Sequence, residues 1–417
     1  MPCYSNMNDE ERENTMEDMT ASSSGYASGK EKVAFVRLGK VPIANVTVAR
    51  VLTDVFHEYQ IEEIDLLQLI KKDRLFVALN TLVMIKEYGL KLLLRHRRRW
   101  NCFFTTTYSF KYVKRLMAQI HRTNHYAFSF QMQSLFDASK KGIPHFVYTD
   151  HTYLANLYYP HYDHRKLPTK AWIKLERSVY QNAALTFVRS THVEKSVVNH
   201  YGCARDSVEC VYAGNNAADS DEVNLKKRNK NILFVGMDWE RKGGPELLRA
   251  FRDVLGTHPD AELTIVGCNP LIDLPQCNVV GQVSVDEMAR FYDEATVFCL
   301  PTKVEPFGIV FVEALHHGLP IIATNIGAVP DMVQASNNGY LVPPGDVDAL
   351  SNRLIHLLSQ PDLCRRFGEY SRAIAEDRYN WHRVGALFRR HIEEKTGHRA
   401  RKEEVLASAD TAMVIGA

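Results

Sequence analysis

The chain has almost no net charge, few cysteines and no long hydrophobic run. Lys and Arg number 51 against 49 Asp and Glu, a formal charge of +2, so nothing in the overall charge draws the protein to nucleic acid and any basic surface must be local. The eight cysteines (Cys3, Cys102, Cys203, Cys210, Cys268, Cys277, Cys299 and Cys364) are scattered without a C-x-x-C pair. Several sit inside apolar runs such as Val297-Phe298-Cys299-Leu300, which argues for reduced, buried thiols and against a disulfide framework or a zinc site. No apolar run reaches the ~18–20 residues that span a bilayer, and the N-terminus lacks a charged-then-apolar leader. A cytoplasmic protein is expected, and Asn45-Val46-Thr47 is then a chance sequon.

What is present is an ordinary globular composition over 417 residues, with 45% hydrophobic and 24% charged positions. At about 100–200 residues per domain this length predicts two domains. Residues 1–30 and 396–417 are poor in core-forming side chains and are expected to be disordered tails. Between them, short apolar runs alternate with stretches of helical period. Strands are expected at 33–38, 102–105, 127–130, 145–148, 184–188 and 208–212, with a helix at 46–59. The polar stretch 215–230 interrupts this series and reads as a linker. A second series follows, with strands at 231–235, 262–266, 278–280, 296–300 and 320–323 and helices at 245–255, 286–294 and 309–317. Strand, helix, strand in alternation implies a parallel sheet covered on both faces, so the fold class is α/β with two doubly wound domains, 31–214 and 231–380. Ligands in such sheets bind beyond the carboxyl ends of the strands.

The densest chemical signal begins where the strand at 296–300 ends. Glu305-Pro306-Phe307-Gly308 leads into a helix that carries Glu313-Ala314 and closes at Gly318-Leu319-Pro320. The first N–H groups of a helix, with its positive dipole end, favour a phosphate. Glu313 lies early enough in the helix to accept two neighbouring hydroxyls, as a ribose offers, and Glu305 precedes it by one loop. A second block, Gly236-Met237-Asp238-Trp239-Glu240-Arg241-Lys242-Gly243, follows the first strand of the second domain. Two adjacent cations on a glycine-flanked loop can meet a diphosphate, Arg through its fork and Lys as a point charge. In the first domain, His145-Phe146-Val147-Tyr148-Thr149-Asp150-His151 sets a histidine at a strand end, where imidazole can bond a sugar hydroxyl at near-neutral pH.

The stretch from Glu305 to Pro320 resembles the E-x7-E motif of the retaining family 4 glycosyltransferases, the group 1 glycosyl transferases. That resemblance implies a GT-B fold: two Rossmann-like domains facing across a cleft, with the N-terminal one on the acceptor side and the C-terminal one holding a nucleotide-sugar donor. A last helix at 381–395 would cross back onto the first domain. The implied activity is transfer of a hexose from a nucleoside-diphosphate sugar to a hydroxyl of a glycan or lipid-linked acceptor, with retention of configuration and no metal or other cofactor. The implied roles put His151 and Glu305 at the donor sugar as catalytic residues. Arg241, Lys242, Phe307, Gly308 and Ile309 would lie at the diphosphate, and Glu313 at the ribose.

Gly39, after the first strand, resembles the glycine-containing first loop of that family, which approaches the donor phosphate or the acceptor, so the resemblance implies a donor-binding role for Gly39, although a double glycine is missing. Met237 stands where the family has its first arginine, and Arg241 is expected to take over that contact. The alternatives in the same fold are an inverting transferase or a nucleotide-sugar epimerase; outside catalysis, an inactive nucleotide-sugar-binding protein. Ile326-Gly327-Ala328-Val329-Pro330-Asp331 and Gly339 to Asp346 resemble the next two loops of the family. The similarity covers nearly all of 231–382 and only loosely 33–214. Asp219-Ser220-Asp221, formally a metal-binding D-x-D, lies in the linker and reads as part of it. Between Lys86 and Arg122 stand ten Lys or Arg and one acidic residue, Glu87, interleaved with Leu90, Leu92–Leu94, Trp100, Phe103, Phe104 and Tyr112. This segment predicts peripheral contact with an anionic membrane surface.

Overall fold

The computed structural model describes residues 30–40, 44–94, 96–215 and 230–397. The expected tails and almost all of the expected linker, Asp219–Asp221 included, lie outside the described residues.

The first half runs β1 (Lys32–Arg37), α1 (Ala44–Val55), β2 (Gln60–Asp65), α2 (Leu66–Lys72), α3 (Arg74–Leu93), α4 (Arg99–Phe104), α5 (Thr107–Thr123), β3 (Tyr126–Met132), β4 (His145–Thr149), α6 (Lys170–Asn182), β5 (Leu185–Val188), α7 (Thr191–Asn199) and β6 (Val208–Cys210). All six strands are parallel, in the order β2-β1-β3-β4-β5-β6. Val33–Val36 and Phe146–Tyr148 are wholly buried, as expected for central strands of a sheet with helices on both faces. Two features depart from the sequence expectation. Residues 102–105, expected as a strand, lie in and just after α4. Their β-prone side chains pack instead within a helical excursion between β2 and β3, where Asn80 Nδ2 donates to Phe103 O at 2.8 Å and Tyr88 Oη to Thr105 O at 2.6 Å. The edge strand β2 was not foreseen, because Gln60-Ile61-Glu62-Glu63-Ile64-Asp65 carries its charges on a half-covered strand. Glu62 pairs with Lys32 at 3.0 Å and Glu63 with Arg37 at 2.9 Å on the neighbouring β1.

The second half runs β7 (Asn231–Val235), α8 (Gly244–Thr257), β8 (Glu262–Val266), β9 (Cys277–Gly281), α9 (Val285–Glu294), β10 (Val297–Leu300), α10 (Ile309–His316), β11 (Ile321–Thr324), α11 (Val329–Met332), β12 (Gly339–Val342), α12 (Val347–Leu358), α13 (Pro361–Arg378) and α14 (Trp381–Thr396). This parallel sheet has the order β12-β11-β10-β7-β8-β9, the Rossmann arrangement in which the winding reverses between the first and fourth strands. That reversal falls between β7 and β10. Residues 339–342, matched in sequence to a loop, form the edge strand β12.

Helix α14 returns to the first half. Val384, Phe388 and Ile392 join the core formed by β1, β3–β5 and α1, and Arg389 grips Glu58 at 2.7 Å. A Cβ on Gly385 would lie 2.8 Å from Val55 and 2.9 Å from Val51, so helix contact with α1 depends on that glycine. Among the described residues, no helix is long and apolar enough to cross a membrane.

Candidate active site

The loops after β7 and β10 leave neighbouring strands at the point where the second sheet reverses its winding. They are pressed together. Gly243 has φ +78°, and a Cβ there would stand 2.0 Å from Pro301 O; one on Gly244 would stand 2.1 Å from the Trp239 ring. Only glycine permits that approach. Lys303 N donates to Arg241 O at 2.9 Å, and Arg241 Nη1 to Val304 O at 2.9 Å. Lys242 Nζ reaches across to Glu305 Oε2 at 2.5 Å. Lys242 and Glu305 are both buried, and the Lys242 stem lies over Gly236, where a Cβ would meet its Cγ at 2.9 Å.

Gly308, with φ +86°, caps α10 from the left-handed region. A Cβ on it would press on Phe311 at 2.7 Å and on Glu305 Cγ at 3.0 Å, so the start of α10 and the Glu305 stem share one narrow space. The opening N–H groups of a helix have no partner within it, which makes this mouth receptive to an anion beside Lys242. Phe307 is buried and Ile309 half-buried there. One turn into the helix, Glu313 is half-buried and accepts a hydrogen bond from Tyr292 Oη at 2.6 Å. Burial raises its pKa, and the Tyr292 bond partly offsets this.

The first domain comes to the same mouth. A Cβ on Gly327 would lie 2.1 Å from Glu305 O and 2.9 Å from Tyr159 Oη, and Ala328 N donates to Glu305 O at 3.1 Å. Glu305 is thus enclosed by β10's own loop, by the loop after β11 and by a tyrosine beyond β4. Nearby, Asp331 accepts from Thr191 N at 2.7 Å and Thr191 Oγ1 at 2.6 Å, capping α7 from the opposite domain.

His151 lies just past β4, half-buried. Asn156 Nδ2 is oriented by its bond to Tyr153 O at 3.0 Å and approaches His151 Nε2, also at 3.0 Å. With Nε2 as acceptor, the ring proton belongs on Nδ1, a buried atom with no hydrogen-bond partner among the described residues. Burial, with a smaller push from His192, holds the pKa well below the usual histidine value. A neutral imidazole with one unspent donor is the result, suited to a hydroxyl or a developing negative charge.

Glu305, Lys242, Gly308, Phe307 and Ile309 therefore share one mouth, with Glu313 deeper along α10. Arg241 borders it, but one end of its guanidinium is bound to Val304 O and Nε lies 3.5 Å from Asp238. Met237 is exposed. Gly39 ends β1 with φ +80°; its N–H goes to Asp65 at 2.9 Å and its carbonyl accepts from Asn45 at 3.1 Å. Both of its backbone groups serve the turn. Sequence reasoning passed over Tyr159, Asn156 and Thr191. The run Tyr158-Tyr159-Pro160 past a strand end is a local mark for the first, and nothing local marks the other two.

A family model described as "Glycosyl transferases group 1" matches residues 215–374. Among curated proteins, the chain is 26% identical over 259 residues to the sulfoquinovosyl transferase of Arabidopsis thaliana, covering 56% of this chain and 49% of that one. It is 34% identical over 171 residues to the phosphatidyl-myo-inositol mannosyltransferase of Mycobacterium leprae, covering 39% and 46%. The chain spans about half the length of these curated relatives. Among solved structures, the sucrose-phosphate synthase of Thermosynechococcus elongatus aligns with a TM-score of 0.63 at 16% identity, over 88% of this chain and 99% of that one. Anabaena HepE, solved with UDP and glucose, aligns at 0.58 and 14% identity, over 87% and 99%. Those likenesses show the fold, which is GT-B.

Proposed function

From the match of residues 215–374 to the glycosyl transferases group 1 family model, we propose that the chain moves a hexose from a nucleoside-diphosphate sugar to a hydroxyl of a glycan or lipid-linked acceptor, with retention of anomeric configuration and without a metal. The observation that carries this reading is the Lys242–Glu305 contact at the mouth of α10. It sets a cation and a helix N-terminus where a leaving diphosphate needs neutralising, which is the main electrostatic demand of the step. Glu305 would turn from Lys242 to the donor sugar, and Glu313 would exchange its Tyr292 partner for the ribose hydroxyls. His151 Nδ1–H would bond the sugar from the opposite domain. Arg241 is a weaker diphosphate ligand in this reading than the sequence suggests, because Val304 O already takes one end of it. Enclosure of Glu305 by both domains would exclude water, the competing acceptor.

The name of one relative, a phosphatidyl-myo-inositol mannosyltransferase, supports a lipid-linked acceptor. The UDP and glucose with which Anabaena HepE was solved support a nucleotide-sugar donor. One observation favours a second reading, a nucleotide-sugar-binding protein without transfer: exposed Met237 takes the position of a family arginine. A thermal-shift screen of UDP-, GDP- and ADP-sugars, with and without EDTA and repeated on Glu313→Ala, separates the outcomes. Stabilisation that survives EDTA and is lost in the variant supports the donor site; its absence in the wild type, or an equal response of the variant, sinks it. Turnover of the stabilising donor, with the product's anomeric configuration read by NMR, decides between transfer with retention, inversion and binding alone.

A further inference from the structure

Helix α3 is apolar on the side that faces away from the protein. Its inner stripe is Phe76, Asn80, Met84 and Tyr88, all buried at i, i+4 spacing. On the opposite side, Leu75, Leu79, Leu82, Leu90 and Leu93 are between 39% and 78% exposed. A helix on the surface of a globular domain carries polar residues there, and isolated exposed leucines are ordinary, whereas a contiguous row along one helix marks a contact surface.

The surroundings have charge of one sign. Lys71, Lys72, Arg74, Lys86, Arg98 and Arg99 are all exposed. The two acidic residues between Leu66 and Trp100 are turned inward: Asp73 caps α3 and accepts from Tyr112 Oη at 2.6 Å, and Glu87 accepts from Thr107 Oγ1 at 2.5 Å. Trp100 is 42% exposed at the edge of the same region. Beside the leucine row a cavity of about 570 Å³ opens between α3 and the Arg97–Arg99 run, walled by Met84, Ile85 and Leu92. Of the segment expected from sequence at 86–122, only Lys86 to Trp100 belongs to this surface: beyond it Phe104 is buried, Tyr112 is bound to Asp73, and α5 turns Phe110, Val113 and Met117 into the core. The apolar surface begins earlier than that segment, at Leu75 on α3.

We propose that this face seats on a bilayer containing anionic phospholipid. α3 lies in the plane of the interface with its leucines among the acyl chains, the surrounding Lys and Arg sit among headgroups, and the cavity receives a lipid phosphate. A second copy of the chain fits the face less well, because it would bring two rims of like charge together. The inference deepens the transfer reading and rests on it only for what the bilayer delivers. Arg97 lines the cavity, its guanidinium lies 5.4 Å from the Tyr153 ring centroid, and that ring meets His151 at 5.8 Å. A lipid acceptor held by the arginines therefore has its headgroup two ring contacts from the candidate catalytic histidine.

Sedimentation of the full chain with phosphatidylcholine vesicles, with and without phosphatidylglycerol, tests this. The wild type should partition at least ~10-fold more strongly onto the anionic vesicles, with salt weakening the binding. Leu75→Glu/Leu82→Glu/Leu93→Glu should lose binding at least tenfold, and Arg98→Glu/Arg99→Glu should lose most of the preference for anionic lipid. All five positions are exposed, so both variants should keep the wild-type melting temperature and nucleotide-induced shift. Failure to bind vesicles, equal binding to neutral vesicles, or binding unchanged in both variants overturns the proposal. So does a wild-type dimer in sedimentation velocity that the leucine variant converts to monomer. Vesicle binding without any nucleotide response would instead leave the membrane seat standing and remove the transfer reading.

Discussion

Replacing Lys242 and Glu305 one at a time should separate the pair's structural role from its donor-binding role. The two side chains are 8% and 4% exposed by residue and 2.5 Å apart. At an effective dielectric of about 20 their gross attraction is ~6–7 kcal/mol, and removing one member of a buried pair costs ~3–5 kcal/mol because the other charge is left uncompensated. Lys242→Met and Glu305→Gln should therefore lose similar stability, about 3 kcal/mol, in urea melts without nucleotide. They should diverge when a nucleoside diphosphate is added. Lys242→Met removes a charge-assisted bond worth ~1.5–3 kcal/mol and leaves a carboxylate beside the diphosphate, so affinity should fall ~10–150-fold. Glu305→Gln leaves a buried cation without its anion, and the diphosphate supplies one. Its affinity should change by less than ~3-fold or improve, while transfer from the matching nucleotide sugar falls on the order of 100-fold. Isothermal titration with the nucleotide that best stabilises the wild type reads the difference. If both variants lose the same affinity, or Lys242→Met binds as the wild type does, Lys242 is only a counter-ion for Glu305 and the diphosphate lies elsewhere.

Gly243→Ala, with its Cβ 2.0 Å from Pro301 O at φ +78°, should cost at least ~3 kcal/mol, whereas Gly256→Ala, open on all sides in α8, should be neutral or stabilise by ~0.5–1 kcal/mol; thermal melts that rank the two otherwise refute the close approach of the loops. Glu176 is wholly buried against Tyr201, Ser134 and Tyr153 N, and burial raises its carboxyl from 4.5 to about 7. The folded state thus holds its proton where the unfolded chain releases it, so this contribution is full below pH 4.5 and is lost as pH rises through about 7; the advantage of wild type over Glu176→Gln should shrink by ~1–3 kcal/mol between pH 5 and 8, and a constant difference would refute it. Asp331→Ala removes both acceptors from Thr191 and should loosen the two domains by ~1–3 kcal/mol, seen as a larger radius of gyration in solution scattering; no change would mean that α14 alone holds them.

The second half was legible because its loops carry demands that sequence can express. Gly243, Gly308 and Gly327 occupy left-handed conformations in which a Cβ would collide, with a backbone oxygen at Gly243 and Gly327 and with the Phe311 and Glu305 side chains at Gly308, so glycine must appear at those points and the spacing of Glu305 and Glu313 is fixed around them. Strands 231–235 and 262–266 are buried on both faces, so their apolar runs had sharp edges. The first half offers no such constraint. β2 hides its pairing in charged residues at a sheet edge, and α4 is held by Asn80 and Tyr88, each more than a dozen residues distant. Local β propensity at 102–105 was overruled by those contacts.

The same contrast explains why the site was only half visible. What encloses Glu305 from its own domain sits on the loops after β7, β10 and β11, where strand ends and glycines signal it. Tyr159, Asn156 and Thr191 reach the mouth only because the first domain turns the carboxyl ends of β4 and β5 toward it, and no spacing within the chain records that encounter. The resting Lys242–Glu305 pair follows from this enclosure. A buried cation needs an anion, and if the site takes a diphosphate, the carboxylate the donor sugar would later use is the one within reach before the donor arrives. Donor binding would then be an exchange of partners: the diphosphate takes Lys242 and the sugar hydroxyls take Glu305, with little net change in buried charge pairing. On that account the missing arginine at Met237 matters less than the sequence suggests, since the fixed part of the neutralisation comes from Lys242 and the start of α10.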